Sequence, residues 1–505
     1  MPFVLSAPVG INQALLGVYV LIGGLGVALA LSARERTLCI AAAIHALSGV
    51  LSVLAHDLLT LLVAWELLTF SAFVIIRRGP GRGRPLLRRD GPDLGTPPGA
   101  GNQHSARAAY WYLAAQICAA VLFFVAIVIH AGESGSLAVA PLEAPAQPFM
   151  VAAVLIKTAM MPLHGWLIGS YTRAGFLGSF VLSAYATKVG VYTAAESVVF
   201  VHGNVPIIST IGAVVAVCAV FFALAQHSAR RLLSFHIISQ VGYMLAGVGL
   251  AGTGEAAAGI SAGLFHSVNH ILYKALLFLV VAVVADRVGH DDLRRMGRLA
   301  RSMPLVFVCA VIGALSIVGL PATSGYVSKE LLKKVGGELQ TTLLIVASVG
   351  TGLSFTKFIY LIFLRPTRGE EPDAGRMRAA GGAERFGLAP AASVALVTLA
   401  ALSIGIGLVP SAVPGVPVHD FYSLEAIFSG LYPAGLALVL WFLVRRWLLS
   451  RSEGEEREPF LRRTLLVSAR PVRAALRRAY RLDAQTALTI ATAAAVALTF
   501  VLMLL

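Results

Sequence analysis

Ionisable side chains inside apolar runs are the first feature of this sequence that can do chemistry. Glu66 sits mid-run in "LLVAWELLTFSAF". Lys157 sits in "VLIKTAMMPLHGW", five residues before Pro162. His266, His270 and Lys274 follow at intervals of four in "FHSVNHILYKALLF". Members of such a set rotate by only about 40° from one to the next, so all three share a helical face. Lys188, Lys329 and Lys357 lie in three further apolar runs, and His164 and His236 are secondary candidates. A lysine changes protonation readily when it loses water, whereas arginine stays charged. Stripes of His, Lys and Glu at membrane depth suit proton relay. An acid about 7 Å from Lys157, at an effective dielectric of about 20, would interact with it by roughly 2.4 kcal/mol. That is enough to bias a lysine between holding and releasing a proton. Other readings exist: a structural Glu–Lys ion pair, a packing role for His236, and a metal on the His266/His270 pair. No acid or cysteine on that helix supports the metal.

The elements that must hold these groups are membrane helices. Of 505 residues, 57% are hydrophobic and 13% charged. Apolar runs of about 20 residues, the length that crosses about 30 Å of hydrocarbon, recur throughout. The fold class is therefore an all-α polytopic membrane protein with about fourteen spans. The forty basic residues divide into thirty-three arginines and seven lysines. Every arginine falls in a segment following an odd-numbered span: 33–37, 77–107, 169–174, 227–231, 286–302, 365–385 and 445–484. This asymmetry puts the N-terminus outside and the Arg-rich loops in the cytoplasm. It also accounts for the charge without nucleic acid. The first span, preceded by no basic run, reads as retained rather than cleaved. All seven lysines lie in spans or at span ends.

Two five-span sets divide the centre, 38–200 and 205–364. They follow an N-terminal helix (1–37). After them come C-terminal helices (365–450), a basic amphipathic segment (451–484) and a last span (485–505). In each set the fourth span (148–168 and 303–336) is broken by proline, Pro162 or Pro321, beside a lysine, Lys157 or Lys329. The fifth span carries Lys188 or Lys357. Five spans is an odd number, so the second set enters the membrane inverted. Paired broken helices in inverted repeats point to an ion path near mid-membrane. The four cysteines are scattered one per apolar run, and no Gly-rich phosphate loop follows a strand. No cofactor is expected on this chain.

Taken together, "WELLTFSAF", "IKTAMMPLHGWL", "SAYATKVGVY", "ARRLLSFHIISQVGYM", "HSVNHILYKALLFL" and "GLPATSGYVSKELL" resemble the antiporter-like subunits of respiratory complex I, Mrp-type cation/proton antiporters and membrane-bound hydrogenases. By that resemblance, Glu66 and Lys157 match the glutamate–lysine pair, Lys188 and Lys274 the bridging lysines, and Lys329 the terminal lysine. His270 matches a histidine preceding the bridging lysine. The resemblance implies a proton path along this axis. It also implies partners: other membrane subunits and a peripheral cytoplasmic module. The two helices that usually precede the first span seen here are not recognised, and segment 451–484 is similar to a short lateral helix. The expected setting is a bacterial inner membrane. The competing functions are a non-pumping membrane scaffold that anchors a soluble redox enzyme, and a quinone-coupled enzyme, against which the missing cofactor ligands argue.

Overall fold

The computed structural model describes residues 5, 7–79, 100–198, 206–251, 253–366, 388–416 and 420–450. Segments 451–484 and 485–505, and most of loops 77–107 and 365–385, lie outside the described residues. Helices α1 (Ile11–Ser32), α2 (Arg36–Leu54), α3 (Leu58–Arg78) and α4 (Ala100–Ser134) are followed by four short ones: α5 (Gln147–Lys157), α6 (Gly165–Tyr171), α7 (Phe176–Leu182) and α8 (Ala186–Ser197). Then come α9 (Ile207–Leu224), α10 (Ala229–Val248), α11 (Ala256–Val288), the single turn α12 (Leu299–Ser302), α13 (Pro304–Val318) and α14 (Ser324–Val335). The chain ends its described part with α15 (Glu338–Ile359), which runs into a π-helical turn (Tyr360–Leu364), α16 (Pro390–Leu408) and α17 (Leu424–Ser450). Among the described residues, nine helices are long and apolar enough to cross a membrane.

The core is α11. At 33 residues it is about 50 Å long, and the apolar window within it is buried throughout. It packs on α10, α13, α14, α16, α1, α7 and α8. Helices α9 and α10 approach more closely than side chains would allow. A Cβ on Gly212 would lie 2.7 Å from the Gly242 carbonyl oxygen, and one on Gly242 would lie 2.5 Å from that of Gly212. Small residues at such crossings replace the missing hydrophobic drive between helices in lipid with backbone contact.

The segments that carry arginine gather in two groups. Arg78 pairs with Glu35, and Ser105 donates to the Arg173 carbonyl at 3.0 Å. Around α10, Arg230 pairs with Asp291 at 3.1 Å, the Ala229 amide donates to the Asp291 carbonyl, and Arg365 reaches the Met296 carbonyl. Burial works against the Asp291 carboxylate. Arg230 and Ser228 more than offset it, so the carboxyl titrates below its usual range. The segments free of arginine join one another elsewhere: the Leu58 amide donates to the Leu137 carbonyl, and that of Leu142 to Ser197.

Candidate functional site

Lipid offers no hydrogen bonds, so each helix end at membrane depth must be met by protein. Three lysines do this here. Helix α13 ends at Val318, and its freed Ile317 and Val318 carbonyls accept from Lys329 Nζ at 2.8 and 3.1 Å. Lys329 reaches back from α14, beyond the break at Pro321. Helix α7 ends at Leu182, and Lys188 Nζ donates to the Ser183 carbonyl at 2.5 Å. At the end of α9, Lys357 Nζ donates to the Leu224 and Gln226 carbonyls at 2.8 and 2.9 Å. These carbonyls are the negative ends of helix dipoles, so each ammonium gains partial counter-charge without a carboxylate.

Lys157 terminates α5 and crosses instead to α3. Its Nζ donates to Trp65 O at 3.5 Å and Thr69 Oγ1 at 3.4 Å, and lies 4.6 Å from the centre of the Trp65 ring. The carbonyl of Ile156 is met by Trp166 Nε1 at 2.9 Å. The break from 158 to 164 contains the cis Met161–Pro162 peptide and a left-handed Ala159 (φ 56°). The break at Pro321 likewise holds a left-handed alanine, Ala322 (φ 65°), and Gly319 (φ 91°). A non-glycine residue in that region costs of order 1–3 kcal/mol and persists only where its surroundings impose it. His164 opens α6 with its ring beside Phe235, and Pro162 itself is exposed. Glu66 is half-buried on α3. It makes no ion pair with Lys157, although the two interact electrostatically, and its Oε1 has no hydrogen-bond partner.

Between these flanks the polar groups sit close together. Lys188 interacts electrostatically with His270 and Lys274, Lys274 with His236, and Lys329 with both His236 and His266. His266 is fully tied: its ring nitrogens lie 2.9 Å from Ser328 Oγ and 3.1 Å from Gln240 Oε1. Both ring nitrogens of His236 and of His270, Nζ of Lys274 and both polar atoms of the Asn269 side chain are buried without a protein partner. On the first half, α8 packs on Lys157 so closely that a Cβ at Gly190 would lie 3.1 Å from Lys157 Cγ. Lys157 and Lys188 are thereby joined through one helix.

One feature departs from the sequence reading. The span expected at 175–200 is two helices, parted at 183–185 with no proline. Lys333, at a span end, is pinned. Its Nζ donates to Ser429 Oγ at 2.6 Å and to Ser429 O at 3.1 Å, and it pairs with Glu330. His45 on α2 is buried near this row, and sequence reasoning misses it. Its only sequence signal is a histidine in an apolar run.

Broken helices whose free end carbonyls accept from lysines, around one central helix whose apolar window is buried, define an all-α, multi-span architecture. Residues 99–354 match the family model described as NADH:quinone oxidoreductase/Mrp antiporter, transmembrane, and the chain belongs to that family. It is 26% identical over 356 residues to hydrogenase-4 component B of Escherichia coli, covering 63% of this chain and 52% of that one. It is 25% identical over 335 residues to a Na(+)/H(+) antiporter subunit of Alkalihalophilus pseudofirmus, covering 63% of each. The chain thus spans about half the length of the first relative and under two thirds of the second. In fold it is similar to a chain of the Mrp complex from Dietzia sp. (TM-score 0.65, 22% identity, covering 87% of this chain and 85% of that one). It is likewise similar to a chain of respiratory complex I from Thermus thermophilus (TM-score 0.61, 22% identity, covering 81% and 87%).

Proposed function

We propose that this chain is an ion-translocating subunit of a larger energy-converting membrane complex. It moves protons, or exchanges sodium for protons, along Glu66, Lys157, Lys188, His270, Lys274 and Lys329. The observation that carries this reading is the set of unpartnered polar atoms at the centre of the row. Buried polar groups in folded proteins are hydrogen-bonded. His236, Asn269, His270 and Lys274 therefore call for water, and water among ionisable groups conducts protons. Lys157, Lys188, Lys274 and Lys329 are buried, and none of them makes an ion pair with a carboxylate among the described residues, so they cannot all be charged at once without a large Coulomb cost. Fractional proton occupancy follows from that. The partners are other membrane subunits and a peripheral cytoplasmic module that supplies any redox chemistry. The two five-helix sets act as inverted halves, each with a broken helix.

A scaffold would need no unpaired interior lysine, and a pair of substitutions separates the two roles. Lys274→Met removes a charge that has no hydrogen-bond partner, so the purified complex should melt at or above the wild-type temperature while transport in proteoliposomes is lost. Lys357→Met strands two carbonyls and should lower stability by about 1–3 kcal/mol. Normal transport by the Lys274→Met complex would establish the scaffold instead. A cysteine placed at His290, beside Asp291 and Arg294, should react only with reagents that reach the cytoplasmic side. Labelling from outside in intact cells would invert the topology.

A further inference from the structure

Helix α2 carries His45, fully buried in a span. Its Nδ1 lies 2.8 Å from Ser71 Oγ. Ser71 in turn donates its hydroxyl hydrogen to the Leu68 carbonyl at 3.1 Å. With that hydrogen given to Leu68, the serine oxygen accepts and the imidazole hydrogen is assigned to Nδ1. That leaves Nε2 as a bare acceptor, buried and with no partner. The Tyr19 hydroxyl is also buried and unpartnered.

Both groups lie against a single ring. Tyr19 stacks on Tyr185 with centroids 5.0 Å apart, and His45 meets the same ring edge-on at 5.1 Å. Tyr185 occupies a slot that only glycine permits, since a Cβ at Gly49 would overlap the ring. Its hydroxyl donates to Tyr19 O at 2.9 Å. Tyr185 belongs to the 183–185 break, where the Ser183 carbonyl holds Lys188. On the opposite side, one stretch of α3 serves both Lys157 and His45. Trp65 and Thr69 face Lys157, and Ser71 faces His45. His45 and Lys157 interact electrostatically.

We propose that His45 is a further proton-binding residue of the path, accepting at Nε2 between Lys157 and the break that holds Lys188. Ser71 and Tyr185 fix its register. The step is a proton transfer alone: the Lys157 ammonium becomes an amine, the imidazole becomes an imidazolium, and the charge of the pair is conserved. The imidazolium then returns the proton toward Lys188. This inference rests on the reading that the row conducts protons.

Two substitutions separate proton binding from packing. His45→Gln can keep a hydrogen bond to Ser71 but takes up no proton. His45→Lys loses the bond geometry but keeps a titratable nitrogen. In proteoliposomes of the whole complex, His45→Gln should lower pumping about tenfold or more, the scale of losing a positioned acid–base group. His45→Lys should retain a measurable part of it. Near-normal pumping by His45→Gln overturns the proposal. If His45→Gln does not assemble, ¹⁵N-histidine spectra of the wild-type complex decide, with the His45 signal assigned by its loss in His45→Lys. Its Nε2 resonance should gain a protonated fraction during turnover, and a nitrogen bare throughout overturns the proposal. Lys157→Met serves as the control. If that variant pumps normally, the proton-path reading itself fails. If it does not pump while His45→Gln does, only the role of His45 fails.

Discussion

Lys157→Arg should assemble and yet transport no ions. Arginine preserves the charge but cannot release a proton at physiological pH. Lys157→Met should likewise stop transport, while the removal of a buried cation leaves the fold nearly unharmed. The measurement is ion movement by the reconstituted complex, read beside its melting temperature. Transport by Lys157→Arg near the wild-type rate would make the lysine a fixed charge that steadies Glu66. Proton exchange would then belong to Lys188 or Lys274. The geometry explains why the break matters here. Lys157 ends α5, and its ammonium crosses to Trp65 O and Thr69 Oγ1, two neutral acceptors that hold its proton far less firmly than a carboxylate would.

The chemistry of this molecule is more legible in its sequence than its joints are. Lys157, Lys188, Lys274 and Lys329 stand out because lipid makes an ionisable group costly, so each signals a protein environment. Pro162 and Pro321 announce breaks because proline removes a helix hydrogen bond. The break at 183–185 has no such marker. It is held by contacts distant in sequence: Tyr185 wedged beside Gly49 of α2, and its hydroxyl on the carbonyl of Tyr19. The left-handed Ala159 and Ala322 are hidden for the same reason, since local preference disfavours what tertiary packing imposes there. His45 escapes notice because a lone histidine in an apolar run is indistinguishable from a packing residue until Ser71 and Tyr185 are placed around it. The anchor of Lys333 is equally invisible locally, since Ser429 lies 96 residues away.

Gly325→Ala should be among the most destabilising single-methyl additions in the described chain. Gly325 lies in the first turn of α14, four residues before Lys329, and faces the end of α13. A Cβ there would overlap the carbonyl oxygen of Ser316 and lie 3.5 Å from Tyr273 Cε1. Neither neighbour yields easily: the first is helical backbone and the second a buried ring on α11. Overpacking of this kind costs roughly 1–3 kcal/mol, and backbone is the less forgiving partner. Relief comes only by moving α14 away from α13. That movement draws Lys329 off the Ile317 and Val318 carbonyls and His266 off Ser328. The variant should therefore melt lower and transport less in the fraction that does assemble. Gly24→Ala is the matched control. A Cβ at Gly24 meets nothing within 4 Å, and alanine favours a helix over glycine by about 1 kcal/mol. If Gly325→Ala melts with the wild type, α14 can slide without penalty, and Lys329 is then held at the break by its carbonyls alone rather than by the packing of its helix.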